Sequence, residues 1–321
     1  MAVKNYVITI DVGGTKILSA LIDKNKQIVE RVKIPTDASK GPGFIVECIV
    51  DSINQLLQKT GVNIKSVKAL SLGIPGTVNP ESGIITDAPN LNIKNFNVKK
   101  ELQKNFDVPV LLDNDVNMAG LGIKIFEYNN KVNNMLVVFV GTGIGGALFF
   151  NGKMYRGSTF FAGEIGHMKV NAKGYLANDD DSLGFENIAS RTAMVNTIIE
   201  KSKKHKTYLT KYIKKGEKIK SKHLAKAIKK DDKLVKEVIS EGCKVIGTLL
   251  GSITTLLNLD TIVVGGGAVE ANEEFMLPKI QKAFDKAVIK EIGKSVKITG
   301  TKLGDDAPLY GGLGLAEEFL K

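Results

Sequence analysis

Asp11-Val12-Gly13-Gly14-Thr15-Lys16 gathers a carboxylate, two glycines, a hydroxyl and an ammonium into one short run. Glycines without Cβ let backbone N–H groups approach phosphate oxygens, Thr15 and Lys16 add a hydroxyl and a cation, and Asp11 is suited to hold Mg²⁺ through water. Alone, such a run is more often a plain turn, and it is not a P-loop, because no helix opening on Gly-Lys-Ser/Thr follows. A second run, Gly141-Thr142-Gly143-Ile144-Gly145-Gly146, offers the same chemistry later in the chain. Two such loops facing each other across a cleft would grip both ends of a triphosphate, which makes the pair more specific than either member. A dinucleotide-binding turn is the competing reading of the second loop, but the helix and ribose-binding acid it requires are not evident.

Both loops need strands to hold them. β-branched and aromatic residues fill 6–11, and a second apolar run fills 17–22, so the first loop reads as a turn between strands. A third run, 27–34, ends at Pro35 and extends a meander. Apolar residues at Phe44, Cys48, Ile49, Ile53, Leu56 and Leu57 keep helical spacing up to Gly61. A strand at 67–73, a helix near 98–105 and a strand at 108–112 follow, the last stopping at Asp113-Asn114-Asp115. The programme then restarts, with strands at 135–140 and 147–150 around the second glycine loop. Helical patterns at 186–203, 233–257, 272–292 and 307–321 and a buried strand at 261–264 complete an alternation that points to an α/β layer fold.

At 321 residues, two domains are the natural expectation. The uncharged runs 135–150 and 245–259 fall short of the roughly 20 residues a membrane span needs, so no membrane partner is expected. A charge at Asp11 interrupts the N-terminus before a signal peptide forms. Cys48 and Cys243 lie among apolar neighbours, as reduced core thiols do, which points to the cytoplasm. The net charge of +11 is local: 201–236 holds 15 lysines against Glu217, Asp231 and Asp232, a net of +12, and no arginine. A lysine-rich solvated helical face accounts for this better than a nucleic-acid site, which would favour guanidinium forks.

Taken in order, these motifs resemble the ROK (repressor, open reading frame, kinase) family of sugar kinases, within the actin-like ATPase superfamily. The resemblance covers nearly the whole chain and rests on the two glycine loops, Gly73-Ile74-Pro75-Gly76, Asn90-Leu91, Asp113-Asn114-Asp115-Val116-Asn117, Ala162-Gly163-Glu164-Ile165-Gly166-His167, Gly265-Gly266-Gly267 and Gly304-Asp305-Asp306-Ala307. It implies two actin-like (ribonuclease H-like) lobes with a central cleft. The small lobe would span 1–115, completed by a terminal helix at 305–321. The large lobe, 116–304, would carry dimerisation and sugar-binding elements, with a hinge near Gly304. Asp115 matches the family's catalytic aspartate, the base that takes the sugar proton, although an Asp at a strand end is otherwise a helix cap. Gly76, Asn90, Asn114, Glu164, His167 and Glu186, together with Asp115, match sugar-binding positions. Asp11, Gly13, Gly14, Thr15, Lys16, Gly141, Thr142, Gly143, Gly145 and Gly265, Gly266 and Gly267 match those for ATP, with adenosine against the last three. MgATP and a sugar are then the substrates, and a homodimer is expected.

The chain departs from the family at the zinc site. Members commonly carry three cysteines between the histidine and the glutamate; here Ala177, Asp179 and Gly184 take those places. Without thiolates no zinc is expected. The Asp-rich loop 178–181 lacks the spaced ligands of a Ca²⁺ site. The altered segment joins His167 to Glu186, near the C2 side of a sugar, and favours N-acetylmannosamine; glucose, a glucokinase activity, is the alternative. A non-catalytic sugar-responsive regulator is the other, opposed by the short stretch before Asp11 and by the retained Asp115.

Overall fold

The computed structural model describes residues 5–176 and 183–320. The chain first forms β1 (Tyr6–Val12), β2 (Lys16–Ile22), β3 (Ile28–Pro35), α1 (Gly41–Thr60), β4 (Val67–Ile74), β5 (Thr77–Asn79), β6 (Ile84–Ala88) and β7 (Ile93–Asn97). Next come α2 (Val98–Gln103), β8 (Val110–Asn114), α3 (Asp115–Phe126), β9 (Met135–Val140), β10 (Ile144–Phe150), β11 (Lys153–Tyr155), β12 (Lys169–Val170) and β13 (Leu183–Gly184). Helices α4 (Phe185–Ala189), α5 (Arg191–Lys201), α6 (Thr210–Lys214), α7 (Ser221–Lys229) and α8 (Lys233–Leu257) precede β14 (Thr261–Gly265). The end comprises α9 (Gly267–Glu270), α10 (Glu273–Ala287), α11 (Lys290–Gly293), β15 (Lys297–Gly300) and α12 (Ala307–Phe319).

These elements form two compact units. Unit 1 comprises Met1–Lys131, Met154–Ala162 and Asp305–Lys321, and unit 2 comprises Val132–Lys153 and Gly163–Gly304. The sequence boundary falls at residue 115, whereas α3 belongs to unit 1. The reason is packing: α3 lies along α12, so closely that Gly311 touches the Met118 carbonyl.

In unit 1 the sheet order is β3-β2-β1-β4-β8. β1 pairs antiparallel with β2 and parallel with β4, which pairs parallel with β8. Ile8, Ile10 and Val12 of β1 face a core that includes Ile45, Ile49 and Ile53 of α1. Val7, at the alternate position, joins Leu313 and Ala316 of α12. Both faces of β1 are thus covered, which explains its near-continuous apolar run. In unit 2 the order is β10-β9-β14-β15, again an antiparallel hairpin followed by two parallel strands. The repeat legible at the glycine loops is therefore a repeat of topology.

The expected helix 186–203 is two helices, because Ser190 ends α4 and caps α5 by accepting from the Ala193 N–H at 3.2 Å. The lysine-rich stretch includes α6 and α7; Leu209, just before α6, and Leu224 and Ala227 of α7 join the unit 2 core while most of the lysines stay exposed. No helix among the described residues is long and apolar enough to cross a membrane.

Candidate active site

In unit 1 the register aligns the chemistry. Asp11 on β1 stands opposite Gly73 on β4, and Gly73 opposite Asp113 on β8. The row lies at the carboxyl ends of three parallel strands, where α/β sheets bind ligands. β8 ends at Asn114, and Asp115 opens α3.

Asn114, rather than Asp115, caps this helix: its Oδ1 accepts from the N–H groups of Val116 at 2.8 Å and Asn117 at 3.2 Å. Its Nδ2 donates to the Gly76 carbonyl at 2.9 Å, which leaves one amide hydrogen for a ligand. Asp115 occupies the first helical position, where its Oδ1 accepts from the Val116 N–H at 2.9 Å.

The first glycine turn closes when the Gly13 N–H donates to the Lys16 carbonyl at 2.9 Å. Gly13 therefore holds the turn and has no hydrogen left for an anion. Gly14 backs onto the carbonyl of Asn90, which ties that candidate sugar residue to the turn. The Lys16 ammonium lies 3.2 Å from Asp305. Burial, then the nearby Asp115, push the Asp11 carboxyl up to about 7, with Lys16 working against them and Asp305 with them.

Unit 2 brings together a second group. The Gly141 N–H donates to the Gly143 carbonyl at 2.9 Å, closing a tighter turn than expected, so that β10 begins already at Ile144. Gly145 is therefore a strand residue, paired with Phe139. Glu186 reaches this turn and accepts from the Ile144 N–H at 3.2 Å. Its Oε2 occupies the space a Cβ at Gly143 would need. A carboxylate there repels phosphate, which leaves the open Gly141 and Thr142 side for an anion. Glu164 lies 3.8 Å from His167, and its pKa is raised by burial, with His167 opposing and Glu186 adding. Gly265 ends β14, Gly266 turns the chain with φ +86°, and Gly267 opens α9 near the Ser221 hydroxyl.

Three contacts at these sites escaped sequence reasoning. Besides the Lys16 and Asp305 pair, Arg191 donates to Thr142 Oγ1 at 2.9 Å and Arg156 donates to Asp113 at 2.7 Å. Their signal was rarity, because the chain has only Arg31, Arg156 and Arg191. Of the positions where zinc-binding cysteines would sit, Ala177 and Asp179 lie outside the described residues, as does the loop 178–181. Gly184 precedes α4 as its cap.

Comparison with known proteins converges on one family. The ROK family model matches residues 7–318. A glucokinase of Halalkalibacterium halodurans is 28% identical over 98% of this chain and 95% of its own length. A xylose repressor of Caldicellulosiruptor bescii is 26% identical over 87% of this chain and 69% of its own. Among solved structures, a ROK glucokinase from Streptomyces griseus in complex with glucose and AMPPNP superposes with a TM-score of 0.80 at 24% identity. That match covers 98% of this chain and 99% of the other. The fold is thus the actin-like α/β fold of ROK kinases.

Proposed function

The chain belongs to the ROK family, and from that footing we propose that it is an ATP-dependent sugar kinase. It transfers the γ-phosphoryl group to the 6-hydroxyl of a hexose or N-acetylhexosamine. The observation that carries this reading is the placement of Asp115 on the first turn of α3. There it stands beside the strand-end row of Asp11, Gly73 and Asp113 and in the same unit as the Gly13 to Lys16 turn.

In this mechanism Asp115 accepts the sugar hydroxyl proton while the hydroxyl oxygen attacks the γ-phosphorus in line. The bond from phosphorus to the bridging oxygen breaks, and ADP leaves with that electron pair. Lys16 exchanges Asp305 for a phosphate oxygen as ATP binds. Arg191, anchored on Thr142, supplies a guanidinium beside the second turn. Asn90, Asn114, with Gly76 held by it, Glu164, His167 and Glu186 match the family's sugar-binding positions and would bind sugar hydroxyls. Gly265, Gly266 and Gly267 take the adenosine end.

Among the described residues no three His, Cys, Asp or Glu side chains are grouped to hold a metal ion by themselves. Mg²⁺ usually takes one or two carboxylates together with phosphate oxygens and water, and a half-buried Asp11 crowded by Asp115 fits that use. When bound with ATP it would neutralise charge developing on the phosphates.

The glucokinase relative makes glucose the first sugar to test. N-acetylmannosamine is second, on the altered loop between His167 and Glu186. A regulator that binds sugar without turnover is the second reading, supported by the xylose repressor. ADP release measured across glucose, N-acetylmannosamine, N-acetylglucosamine, fructose and allose tests the proposal. Sugar-dependent ADP supports a kinase; tight sugar binding without ADP sinks it in favour of the regulator. Two free, buried cysteines, with burial pushing the Cys243 thiol up to about 12, fit a reducing cytoplasm.

A further inference from the structure

Arg156 lies in the segment Met154–Ala162, which belongs to unit 1 although the residues on both sides of it belong to unit 2. Its side chain is only 11% exposed, and each of its three nitrogens donates a hydrogen bond. Nε donates to Asp113 Oδ2 at 2.7 Å, and Nη1 and Nη2 donate to the two carboxylate oxygens of Glu318 at 3.0 and 3.2 Å. The ring of Phe319 lies 5.5 Å from the guanidinium carbon.

Asp113 is the buried partner, with 2% of its side chain exposed. Its second oxygen, Oδ1, accepts from the Asn114 N–H at 2.8 Å and from Asn117 Nδ2 at 2.9 Å. Asn117 Oδ1 is buried with no hydrogen-bond partner, so the orientation of that amide rests on Asp113. The carboxylate therefore fixes the residue just before Asp115 and the residue one position beyond Val116. Asn114, held this way, caps α3 and grips Gly76. Asp115 lies within the clamped stretch.

Resting on the kinase reading above, we infer that Arg156 is a positioning residue for Asp115, acting through Asp113. A buried carboxylate without a cation would be costly, and one free to rotate would release both Asn114 and Asn117. The planar fork matters because the bonds run to two carboxylates from separate nitrogens. A lysine ammonium at the end of a flexible stem reproduces the charge without that geometry. Displacing a catalytic group by about 1 Å costs on the order of 10²-fold in rate, so a small loosening here reads out as turnover. The base itself is unchanged and MgATP is held by other residues, so KM for MgATP stays put, whereas KM for sugar follows any loosening of Asn114.

The test uses the full chain and its Arg156→Met, Arg156→Lys and Glu318→Gln variants. kcat and KM are measured with whichever sugar the wild type phosphorylates, and backbone hydrogen exchange is followed by mass spectrometry. For Arg156→Met, kcat falls at least about tenfold while KM for MgATP stays within about twofold. Exchange in 113–118 rises at least about tenfold, with β1 and β4 unchanged. Arg156→Lys falls between wild type and Arg156→Met. Glu318→Gln moves in the same direction by less, since the bond to Asp113 remains. Wild-type kcat and exchange in Arg156→Met would overturn the inference, as would a loss of protection spread evenly over the sheet. If Arg156→Met does not fold, Arg156→Lys carries the same decision: lowered kcat with exchange confined to 113–118 supports it, and unchanged values overturn it. A wild type inactive on every sugar ends the kinase reading instead, and the exchange pattern still decides whether Arg156 holds the start of α3.

Discussion

Asp11→Asn isolates the charge cost at the end of β1. Burial first, then Asp115, push the Asp11 carboxyl up from 3.8 to about 7. The folded chain then binds more protons than the unfolded chain between those values, so stability is fully present below about pH 4 and is lost as pH rises through about 7. At about 1.36 kcal/mol per pH unit, the whole loss amounts to about 4 kcal/mol, of which about 2.5 kcal/mol falls between pH 5 and pH 8. Asparagine keeps the shape and cannot titrate. Urea unfolding of both proteins in EDTA at pH 5 and pH 8 measures the difference directly. Wild type should lose about 2.5 kcal/mol relative to Asp11→Asn over that interval. Equal losses in the two proteins would show that Asp11 is not a strained, partly protonated carboxyl, and the fit of Asp11 to a cation would go with it.

Asp115→Asn is expected to lower turnover by at least about 10²-fold while calorimetric sugar binding stays largely intact. Gly143→Ala puts a methyl where Glu186 Oε2 sits and should drive that carboxylate off the Ile144 N–H. Sugar affinity should then fall about tenfold, or about 1.4 kcal/mol by calorimetry, with the urea midpoint nearly unchanged. Gly311→Ala sets a methyl against the Met118 carbonyl at the closest approach of α3 and α12. It should lower unfolding free energy by about 1 to 3 kcal/mol in urea titrations, with loss of turnover following from the displaced α3.

The parts of this molecule written locally were readable from sequence. Val7 to Val12 and Ile17 to Ile22 are mostly apolar because their strands are covered, and glycines mark the turn between them, so β1, β2 and their repeat β9 and β10 announce themselves. The helix 233–257 was equally plain, its end set by Asn258 at φ +48°. Other elements carry weak local signals. β15 presents Lys297, Ile298, Thr299 and Gly300, none of them buried, and becomes a strand because β14 offers it an edge. Strands β5, β6 and β7 are three to five residues each and, among the described residues, pair only with one another. Ser190 looked like an interior helix residue until its hydroxyl was needed as a cap. At the site, residue identities were legible but their partners were not. Asn114 reads as a ligand for sugar, yet most of its amide is spent on α3 and Gly76. Arg156 and Asp113 are 43 positions apart, and no periodicity links them.

The central claim is that this chain phosphorylates a sugar hydroxyl through Asp115. ADP release with MgATP across the five sugars, run in parallel on wild type and Asp115→Asn, tests it most directly. Wild type should release one ADP for each sugar 6-phosphate formed with at least one of them, and the variant should run at least about 10²-fold slower on that sugar. No sugar-dependent ADP from wild type, or a variant that keeps pace with it, would contradict the claim.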